Sequence, residues 1–251
     1  AQASSLSAHA ALCGYPPKRM SPVWPPLGEA VASAGLRVRL VACMCGKTRL
    51  IGLRRDLPWR LAPDLANFRR LLGEGVCAGG VLGRRSFEEA QITHPTGLPC
   101  RPLAVLTRDP GRLPSATRRS GDVFAVASLE EALAALAERP LPLGQGEAES
   151  DRSAAVDGGG RLVWILGGEG VYREALPLAE ALFLTVVTAG FDAKAAGVED
   201  EGAEAAYFPA EWEEHFEPAP GTAWPPESKL DVASGLTYEF REYAARARLP
   251  C

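Results

Sequence analysis

The stretch RLVWILGGEGVYREALP, residues 161–177, contains the change from strand pattern to helix pattern that decides the fold. Its first six residues form a largely apolar run typical of a buried strand, and apolar residues recur at helical spacing after Gly168. The pair Gly167–Gly168 predicts a tight turn between strand and helix. A helix N-terminus attracts anions, so the turn could also hold a phosphate group. The residues alone leave both interpretations open, since the GxGxxG spacing of a dinucleotide-binding turn is missing.

The same order of strand and helix recurs along the chain. Apolar runs predict strands at residues 36–45, 77–83, 102–107, 123–128, 161–168 and 181–191. Helical periodicity predicts helices at residues 63–73, 84–91, 129–138 and 169–177. Residues 236–246 alternate like a half-exposed antiparallel strand at a sheet edge. Strands that alternate with helices predict an α/β fold with a mostly parallel sheet.

Composition limits the class of protein. The chain has 251 residues, a formal net charge of -4 and 47% apolar residues, which suits one domain with attachments. The acidic balance argues against a nucleic-acid ligand, and no apolar run is long enough to span a membrane. We expect a domain at 37–246, a flexible extension at 1–36, a tail at 247–251 and insertions near 139–160 and 192–206.

The six cysteines predict free thiols and no metal site. None forms a CxxC pair, and Cys43 and Cys45 lie two apart in a predicted strand, a spacing that suits packing. Free thiols indicate a reducing compartment, so we expect a cytoplasmic protein. The Ser- and Ala-rich N-terminal segment leaves a mitochondrial or plastid location open, although it lacks the arginines of such leaders.

The stretch LPWRLAPDLANF, residues 57–68, places one acid, Asp64, beside much apolar surface. The simpler interpretation is an acid in the first helical turn that complements the helix dipole. Trp59 and Phe68 flank it, however, and an acid in an apolar pocket has a raised pKa and can hold a proton near neutral pH. Such a carboxylate can also accept two hydrogen bonds from a planar aminopyrimidine edge.

A second strand-to-helix turn, VLGRRSFEEA at residues 81–90, carries two arginines. Arg84 and Arg85 stand at the predicted helix start, and Arg108 follows the next strand. Arginines at this place suit a phosphomonoester, which favours NADP over NAD. The alternative is a set of solvated surface arginines.

Four stretches in this order resemble dihydrofolate reductase: LIGLRRDLPWRLAPDLANF, VLGRRSF, LPCRPLAVLTR and VWILGGEGVYREALP. The resemblance covers about residues 38–244 without the insertions. It implies a three-layer α/β sandwich with a mostly parallel eight-stranded sheet, an antiparallel C-terminal edge strand and helices on both faces. It also implies NADPH-dependent reduction of 7,8-dihydrofolate to tetrahydrofolate, and binding of antifolates.

The resemblance implies four catalytic residues. Asp64 matches the acid that holds the pterin and supports protonation of the ring nitrogen beside the hydride-accepting carbon. Thr185 matches the threonine that braces this acid, and Trp59 matches the tryptophan that positions a water near it. Tyr172 matches a residue beside the nicotinamide.

The resemblance also implies the residues that contact substrate. Leu65 and Phe68 match residues that pack on the pterin and the aminobenzoyl ring, and Arg101 matches the arginine that pairs with the glutamate carboxylate of folate. Met44 stands where the family has an alanine whose backbone faces the pterin. The implied substrate residues are Met44, Leu57, Leu65, Phe68, Arg101 and Leu166.

For NADPH, the resemblance implies two phosphate-binding turns and a lid. Ile51, Gly52 and Leu57 fall on the lid that closes over the nicotinamide. In the family the peptide bond of the glycine pair is cis. The implied cofactor residues are Ile51, Gly52, Gly83, Arg84, Arg85, Ser86, Thr107, Arg108, Gly167, Gly168, Glu169, Gly170, Val171 and Tyr172.

The chain departs from the family pattern at several positions. Ser86–Phe87 replaces a Thr-aromatic pair, Cys100 stands where glycine is common, and Ala205 and Ala206 replace an Asp-Thr pair that stabilises the lid. An alternative is therefore a catalytically weak or inactive reductase-like subunit of a larger assembly. The chain could also be the reductase part of a fusion with thymidylate synthase, or a pterin or pyrimidine reductase of the same fold.

Overall fold

The computed structural model describes residues 27–73, 77–93, 97–113, 122–139, 160–200 and 202–247. The predicted extension up to residue 26, residues 140–159 of the first insertion and the tail from residue 248 lie outside the described residues. The segment predicted as a flexible extension up to residue 36 nevertheless contains a helix, α1 (Leu27–Ser33).

The described residues form eleven strands in two sheets. The strands are β1 (Leu36–Cys45), β2 (Leu50–Leu53), β3 (Cys77–Gly83), β4 (Leu103–Leu106), β5 (Val123–Val126), β6 (Arg161–Gly167), β7 (Ala181–Ala189), β8 (Ala205–Tyr207), β9 (Phe216–Pro218), β10 (Lys229–Asp231) and β11 (Leu236–Ala245). The main sheet has the order β10-β11-β7-β1-β6-β3-β4-β5, and β9 also pairs with β11. The strands from β7 to β5 are parallel, whereas β11 is antiparallel to β7.

Five further helices follow α1 in the described chain. They are α2 (Ala62–Gly73), α3 (Arg84–Thr93), α4 (Leu129–Glu138), α5 (Glu169–Ala175) and α6 (Trp212–His215), with 3-10 turns at Pro110–Arg112 and Leu176–Leu178. The start of α4 shows how the sequence sets a boundary: Ser128 accepts a hydrogen bond from the Glu131 amide, and the Glu131 carboxylate accepts one from the Ala127 amide. In the described part of the chain, no helix is both long and apolar enough to cross a membrane.

Helices cover both faces of the main sheet. Along β1, the side chains of Val38, Leu40 and Met44 join a core that includes residues of α1, α4 and α5. Val41 belongs to a second cluster with Leu71 of α2, on the other face. The alternation of side chains along a strand therefore places helices on two sides, and the predicted three-layer arrangement is confirmed.

Two details of the predicted sheet are corrected. The main sheet has nine strands among the described residues, where eight were predicted. The C-terminal strand β11 is antiparallel as predicted, but β9 and β10 cover its outer side, so it is not an edge strand. The strands missing from the prediction are three or four residues long, too short to show periodicity.

The small sheet joins the segment after β1 to the predicted insertion at 192–206. β2 pairs with β8, and the Arg54 amide donates to the Glu204 carbonyl at 2.8 Å. Ion pairs support this ladder: Arg54 contacts Asp200 at 2.6 Å and Arg55 contacts Glu204 at 2.9 Å. The end of the predicted insertion is thus a strand attached to the predicted lid.

Candidate active site

Two cavities meet at the carboxyl ends of the parallel strands, where ligands bind in open α/β sheets. The first cavity has a volume of about 820 Å³ and lies between α2, α3 and the end of β6. The second cavity, of about 1000 Å³, lies beyond the same glycine turn, between α3, α5 and the small sheet. Ile51, Ser86, Glu89 and Gly168 line both cavities, so the two spaces are continuous.

Asp64 is one of three acids that line the first cavity, with Glu89 and Asp231. It lies in the first turn of α2, and Thr185 of β7 and Cys43 of β1 are near enough to lower its pKa. Cys43 and Thr185 lie opposite each other in the β1–β7 ladder, so the sheet presents two donors side by side. Around the acid, the wall is apolar and includes Leu57, Leu65, Phe68 and Leu166.

Burial sets the electrostatics of this acid. Burial raises the pKa of Asp64, and the hydrogen bonds from Thr185 and Cys43 lower it by less, so the net shift is upward. A carboxyl with a raised pKa keeps a proton closer to neutral pH than an exposed aspartate does. The site therefore combines an acid that can be protonated with an apolar wall that fits a flat ring.

Trp59 packs beside the acid. Its ring is 8% exposed and meets the Phe191 ring edge-to-face, with 4.9 Å between centroids. The indole Nε1–H donates to the Cys43 Sγ at 3.2 Å. The resemblance implied a water near Trp59; in the structure the indole nitrogen contacts the Cys43 thiol.

Tyr172 closes the base of the first cavity. Its hydroxyl donates to the Val41 carbonyl of β1 at 2.8 Å, and its side chain is buried. Burial, followed by the nearby Asp64, Cys43 and Glu89, raises the pKa of Tyr172, which therefore stays protonated. Its ring lies against the glycine turn, because a Cβ on Gly167 would lie 3.1 Å from the hydroxyl.

The glycine turn brings backbone to the junction of the cavities. The Gly167–Gly168 peptide bond is cis, and Gly167 has φ +114°. A Cβ on Gly168 would lie 3.0 Å from the Ser86 Oγ, so the turn and the start of α3 approach closely. This geometry needs glycine and leaves backbone groups accessible to a ligand.

The second cavity has the features of a nucleotide phosphate site. The first residues of α3 and α5, both in its wall, bring two helix N-termini to one space. Its basic side chains are Arg55, Arg84, Arg85, Arg108 and Arg112. Two positive helix ends, glycine backbone and several arginines together fit a molecule with several phosphates, such as a dinucleotide.

Comparison with known proteins identifies the family. A sequence model described as dihydrofolate reductase matches residues 38–214. The chain belongs to the dihydrofolate reductase family.

Among the described residues, no group of His, Cys, Asp or Glu side chains is placed to hold a metal ion.

Curated relatives and a solved structure agree with this assignment. The dihydrofolate reductase of Aedes albopictus is 29% identical over 211 residues, which cover 81% of this chain and 95% of the relative. That of Neisseria meningitidis serogroup A is 29% identical over 214 residues, covering 83% and 98%. Dihydrofolate reductase from Enterococcus faecalis, complexed with NADP(H) and RAB-propyl, matches with a TM-score of 0.56 and 20% identity over 84% of this chain and 97% of that chain. This likeness confirms the fold.

Most residues implied by the resemblance to dihydrofolate reductase lie at the two cavities. The first cavity is lined by Ile51, Leu57, Trp59, Asp64, Leu65, Phe68, Ser86, Leu166, Gly167, Gly168 and Tyr172. The second is lined by Ile51, Gly52, Gly83, Arg84, Arg85, Ser86, Thr107, Arg108, Gly168, Glu169, Gly170 and Val171. Thr185 is 3% exposed and lines neither cavity, but it lies near enough to Asp64 to lower the pKa of that acid.

Two implied substrate residues lie elsewhere. Met44 is 4% exposed and packs in the core with the helices of the opposite face, while Ala42 and Cys43 line the first cavity in its place. Arg101 is not part of the lining, but its Nη2 lies 2.6 Å from where a Cβ on Gly97 would stand, next to the lining residue Leu98. Arg101 is therefore near the rim of the first cavity.

Several lining residues were missed by sequence reasoning. Glu89 lies one helical turn after Ser86, so helical spacing could have placed it on the same face of α3. Arg55 follows the lid glycine and joins the second cavity. The turn between β10 and β11, with Ala233 and Ser234, completes the first cavity and had no signal in the sequence.

Proposed function

We propose that this chain catalyses the NADPH-dependent reduction of 7,8-dihydrofolate to tetrahydrofolate. The observation that carries the proposal is the position of Asp64: an acid with a raised pKa, set among apolar side chains in a cavity that continues into a basic, glycine-lined one. An acid of this kind suits a substrate whose ring nitrogen must gain a proton in an environment poor in water.

The first cavity would hold the pterin and the aminobenzoyl group. The Asp64 carboxylate can accept hydrogen bonds from the amino group and the adjacent ring nitrogen, a paired contact that fixes the ring in its plane. Leu65 and Phe68 would pack on the faces of the rings. Arg101, beside Gly97 at the rim, would pair with the glutamate carboxylate.

The second cavity would hold NADPH, which supplies the hydride when bound. The N-termini of α3 and α5 would bind its phosphates, and Arg84 and Arg85 would favour the extra phosphate that distinguishes NADPH from NADH. Ile51, Ser86 and Gly168 line both cavities and so would border the contact between donor and acceptor.

The proton would be governed by Asp64. Thr185 and Cys43 lower the pKa of this acid, and the buried Tyr172 and Trp59 border the same space. The β2 segment, held by β8, would exclude water when it covers the junction, which strengthens the electrostatic contacts inside.

The substitution Asp64→Asn tests the assignment. We expect the rate of dihydrofolate-dependent NADPH oxidation at neutral pH to fall by about 100-fold or more, the range for loss of a positioned proton-transfer group. NADPH affinity, followed by quenching of tryptophan fluorescence, should stay nearly unchanged, because Asp64 does not line the second cavity. Glu174→Gln, on the exposed side of α5, is the matched control and should keep full activity.

Two results would contradict the proposal. An Asp64→Asn variant with full activity at neutral pH would refute the role of the acid. Folded wild-type protein that binds NADPH but shows no oxidation with dihydrofolate at any pH would refute the reductase activity itself.

A further inference from the structure

One face of α3 runs along both cavities of the site. The residues of α3 that line the first cavity follow the i, i+3, i+4, i+7 spacing of a single helix face: Ser86, Glu89, Ala90 and Thr93. Ser86 and Glu89 also line the second cavity, whereas Ala90 and Thr93 do not. Glu89 therefore lies where this helix face passes from the second cavity into the first.

Among the described residues, Glu89 is the one ionisable side chain that lines both cavities. The other residues shared by the two linings are Ile51, Ser86 and Gly168. The helix face and the glycine turn approach closely here, because a Cβ on Gly168 would lie 3.0 Å from the Ser86 Oγ. Glu89 stands one helical turn after Ser86, so a ligand that crosses the junction passes beside its side chain.

The Glu89 carboxylate is available to a ligand, since it forms no ion pair within the part of the chain that the structure describes. The other acids that line the second cavity have basic partners at 3.4 Å or less: Asp56 with Arg60, Asp109 with Arg112, Glu169 with Arg173 and Glu204 with Arg55. Arg60 is near enough to lower the pKa of Glu89, but its guanidinium contacts both carboxylate oxygens of Asp56 at 2.9 Å. A cationic group in the junction could therefore pair with Glu89.

We propose that Glu89 distinguishes the two redox forms of the cofactor: its carboxylate borders the nicotinamide ring and favours the oxidised form, NADP+. This inference rests on the proposed function, which places the nicotinamide where the second cavity opens into the first. The ring of NADP+ carries a positive charge that the ring of NADPH lacks, so only the oxidised form gains an electrostatic contact with the carboxylate. The phosphates of the two forms are the same, and the arginines of the second cavity act on both alike.

The surroundings of Glu89 strengthen this contact and make it depend on pH. Glu89 is half-buried at the edge of a largely apolar cavity, where a charge pair is less screened than in bulk water. Burial, and then the negative charge of Asp56, raise the pKa of Glu89 to about 7. The carboxyl therefore gains its charge near neutral pH, so the preference for NADP+ should grow as the pH rises through this range.

Other titratable groups at the junction can be separated from Glu89. Tyr172 of α5 has a raised pKa and stays neutral, and Asp56 and Arg60 form an ion pair. Asp231, at the end of β10, lines only the first cavity. Asp64 of α2 also lines that cavity and has a raised pKa, so the measurements are repeated in the Asp64→Asn background. A phosphomonoester titrates near pH ~6, but both cofactor forms carry it, so it cancels in the ratio of their affinities.

The test is the equilibrium binding of NADP+ and of NADPH, measured by isothermal titration calorimetry without substrate. At about pH 8, we expect Glu89→Gln to weaken NADP+ binding about tenfold and NADPH binding less than about twofold, as for the loss of one partly screened charge pair. At about pH 5.5, where the carboxyl is protonated, the variant and the wild type should bind NADP+ with nearly equal affinity. The ratio of the two affinities should therefore shift toward NADP+ with rising pH in the wild type and stay nearly constant in the variant.

Two controls isolate the charge of the nicotinamide. The fragment 2′-phospho-ADP-ribose has the phosphates of the cofactor but no nicotinamide, so it should bind the wild type and Glu89→Gln equally. Glu174→Gln removes one negative charge from the exposed side of α5 and should leave the ratio of the two affinities unchanged.

The outcomes separate this inference from the proposed function. A Glu89→Gln variant that binds NADP+ as tightly as the wild type at about pH 8, or that loses affinity for both forms equally, would overturn the inference alone. Folded wild-type protein that binds neither form would overturn the proposed function as well. If the variant fails to fold, the wild type and Asp64→Asn decide the question: a ratio that shifts toward NADP+ between about pH 5.5 and 8 in both proteins supports the inference, and a constant ratio refutes it.

Discussion

Glu89 is an acid that the proposed reaction does not use, and its removal should stabilise the protein at alkaline pH. It lies on α3, half-buried, and lines both cavities. Burial, and then the negative charge of Asp56, raise the pKa of Glu89 to about 7 against the opposing effect of Arg60. Ionisation of this group therefore costs the folded state more than the unfolded chain.

The sign and size of the effect follow from this shift. Below about pH 4.5, the ordinary pKa of a glutamate, the raised pKa does not lower the free energy of unfolding. Above about pH 7, where the folded state also carries the charge, it lowers that free energy by the full amount. The upper limit for this rise is about 3.4 kcal/mol. Because water reaches the half-buried side chain and screens its charge, we expect about 1–2 kcal/mol instead.

The assay is thermal unfolding of Glu89→Gln and wild type at two pH values. At about pH 8, where the wild-type carboxylate is charged, the variant should melt about 2–8 °C higher, given the usual 2–4 °C per kcal/mol for a domain of this size. At about pH 5, where Glu89 is protonated in the folded state, most of this difference should disappear. Glu174→Gln, an exposed acid on α5, should show no comparable dependence on pH. An increase in melting temperature that is equal at both pH values, or larger at about pH 5, would refute the argument from burial.

Two further predictions concern the wall of the cavities. Tyr172→Phe removes the hydroxyl that donates to the buried Val41 carbonyl. We expect urea unfolding to show a free energy of unfolding lower by about 1–3 kcal/mol, the cost of an unsatisfied buried acceptor. An unchanged urea midpoint would contradict the importance of that hydrogen bond. Arg85→Ala should weaken NADPH binding about tenfold and leave NADH binding nearly unchanged in fluorescence titrations, because a guanidinium contact to a phosphate is charge-assisted. Equal losses for both cofactors would place Arg85 away from the distinguishing phosphate.

The regular elements could be predicted because their side chains repeat. The strand at 36–45 and the helix at 129–138 were predicted with the bounds that the structure gives, since a buried run or a helical stripe extends over several residues. The short strands β8, β9 and β10 could not be predicted, because three residues contain no period and their pairing depends on partners far along the chain.

In the candidate site, too, some residues could be predicted from the sequence and others could not. Residues in continuous motifs, such as Asp64 and the turn Gly167–Gly168, lie where the resemblance implied. Met44 does not line the first cavity, whereas its neighbours Ala42 and Cys43 do, because successive side chains of a strand point to opposite faces and Met44 packs in the core. Cys43 lines the cavity, and only the fold reveals its contact with Trp59.

The lid shows how a departure from a family pattern can leave a structural role in place. The family pattern has an Asp-Thr pair that stabilises the lid where this chain has Ala205 and Ala206. In the structure, both alanines pair with β2 through their backbone, which does not depend on the side chain. The adjacent Glu204 supplies charge instead, with its carboxylate 2.9 Å from Arg55 of the lid and 3.8 Å from Arg85 of the second cavity.

This arrangement joins the lid to the proposed phosphate site. Arg85 cannot give its full charge to both Glu204 and a cofactor phosphate, so a bound phosphate would compete with Glu204 for it. Arg55 would keep its own contact with Glu204, because the two nitrogen–oxygen distances of 2.9 and 3.3 Å describe a paired contact that does not involve Arg85. The backbone ladder and the Arg55 contact would therefore hold the predicted lid whether or not Arg85 is drawn to a ligand.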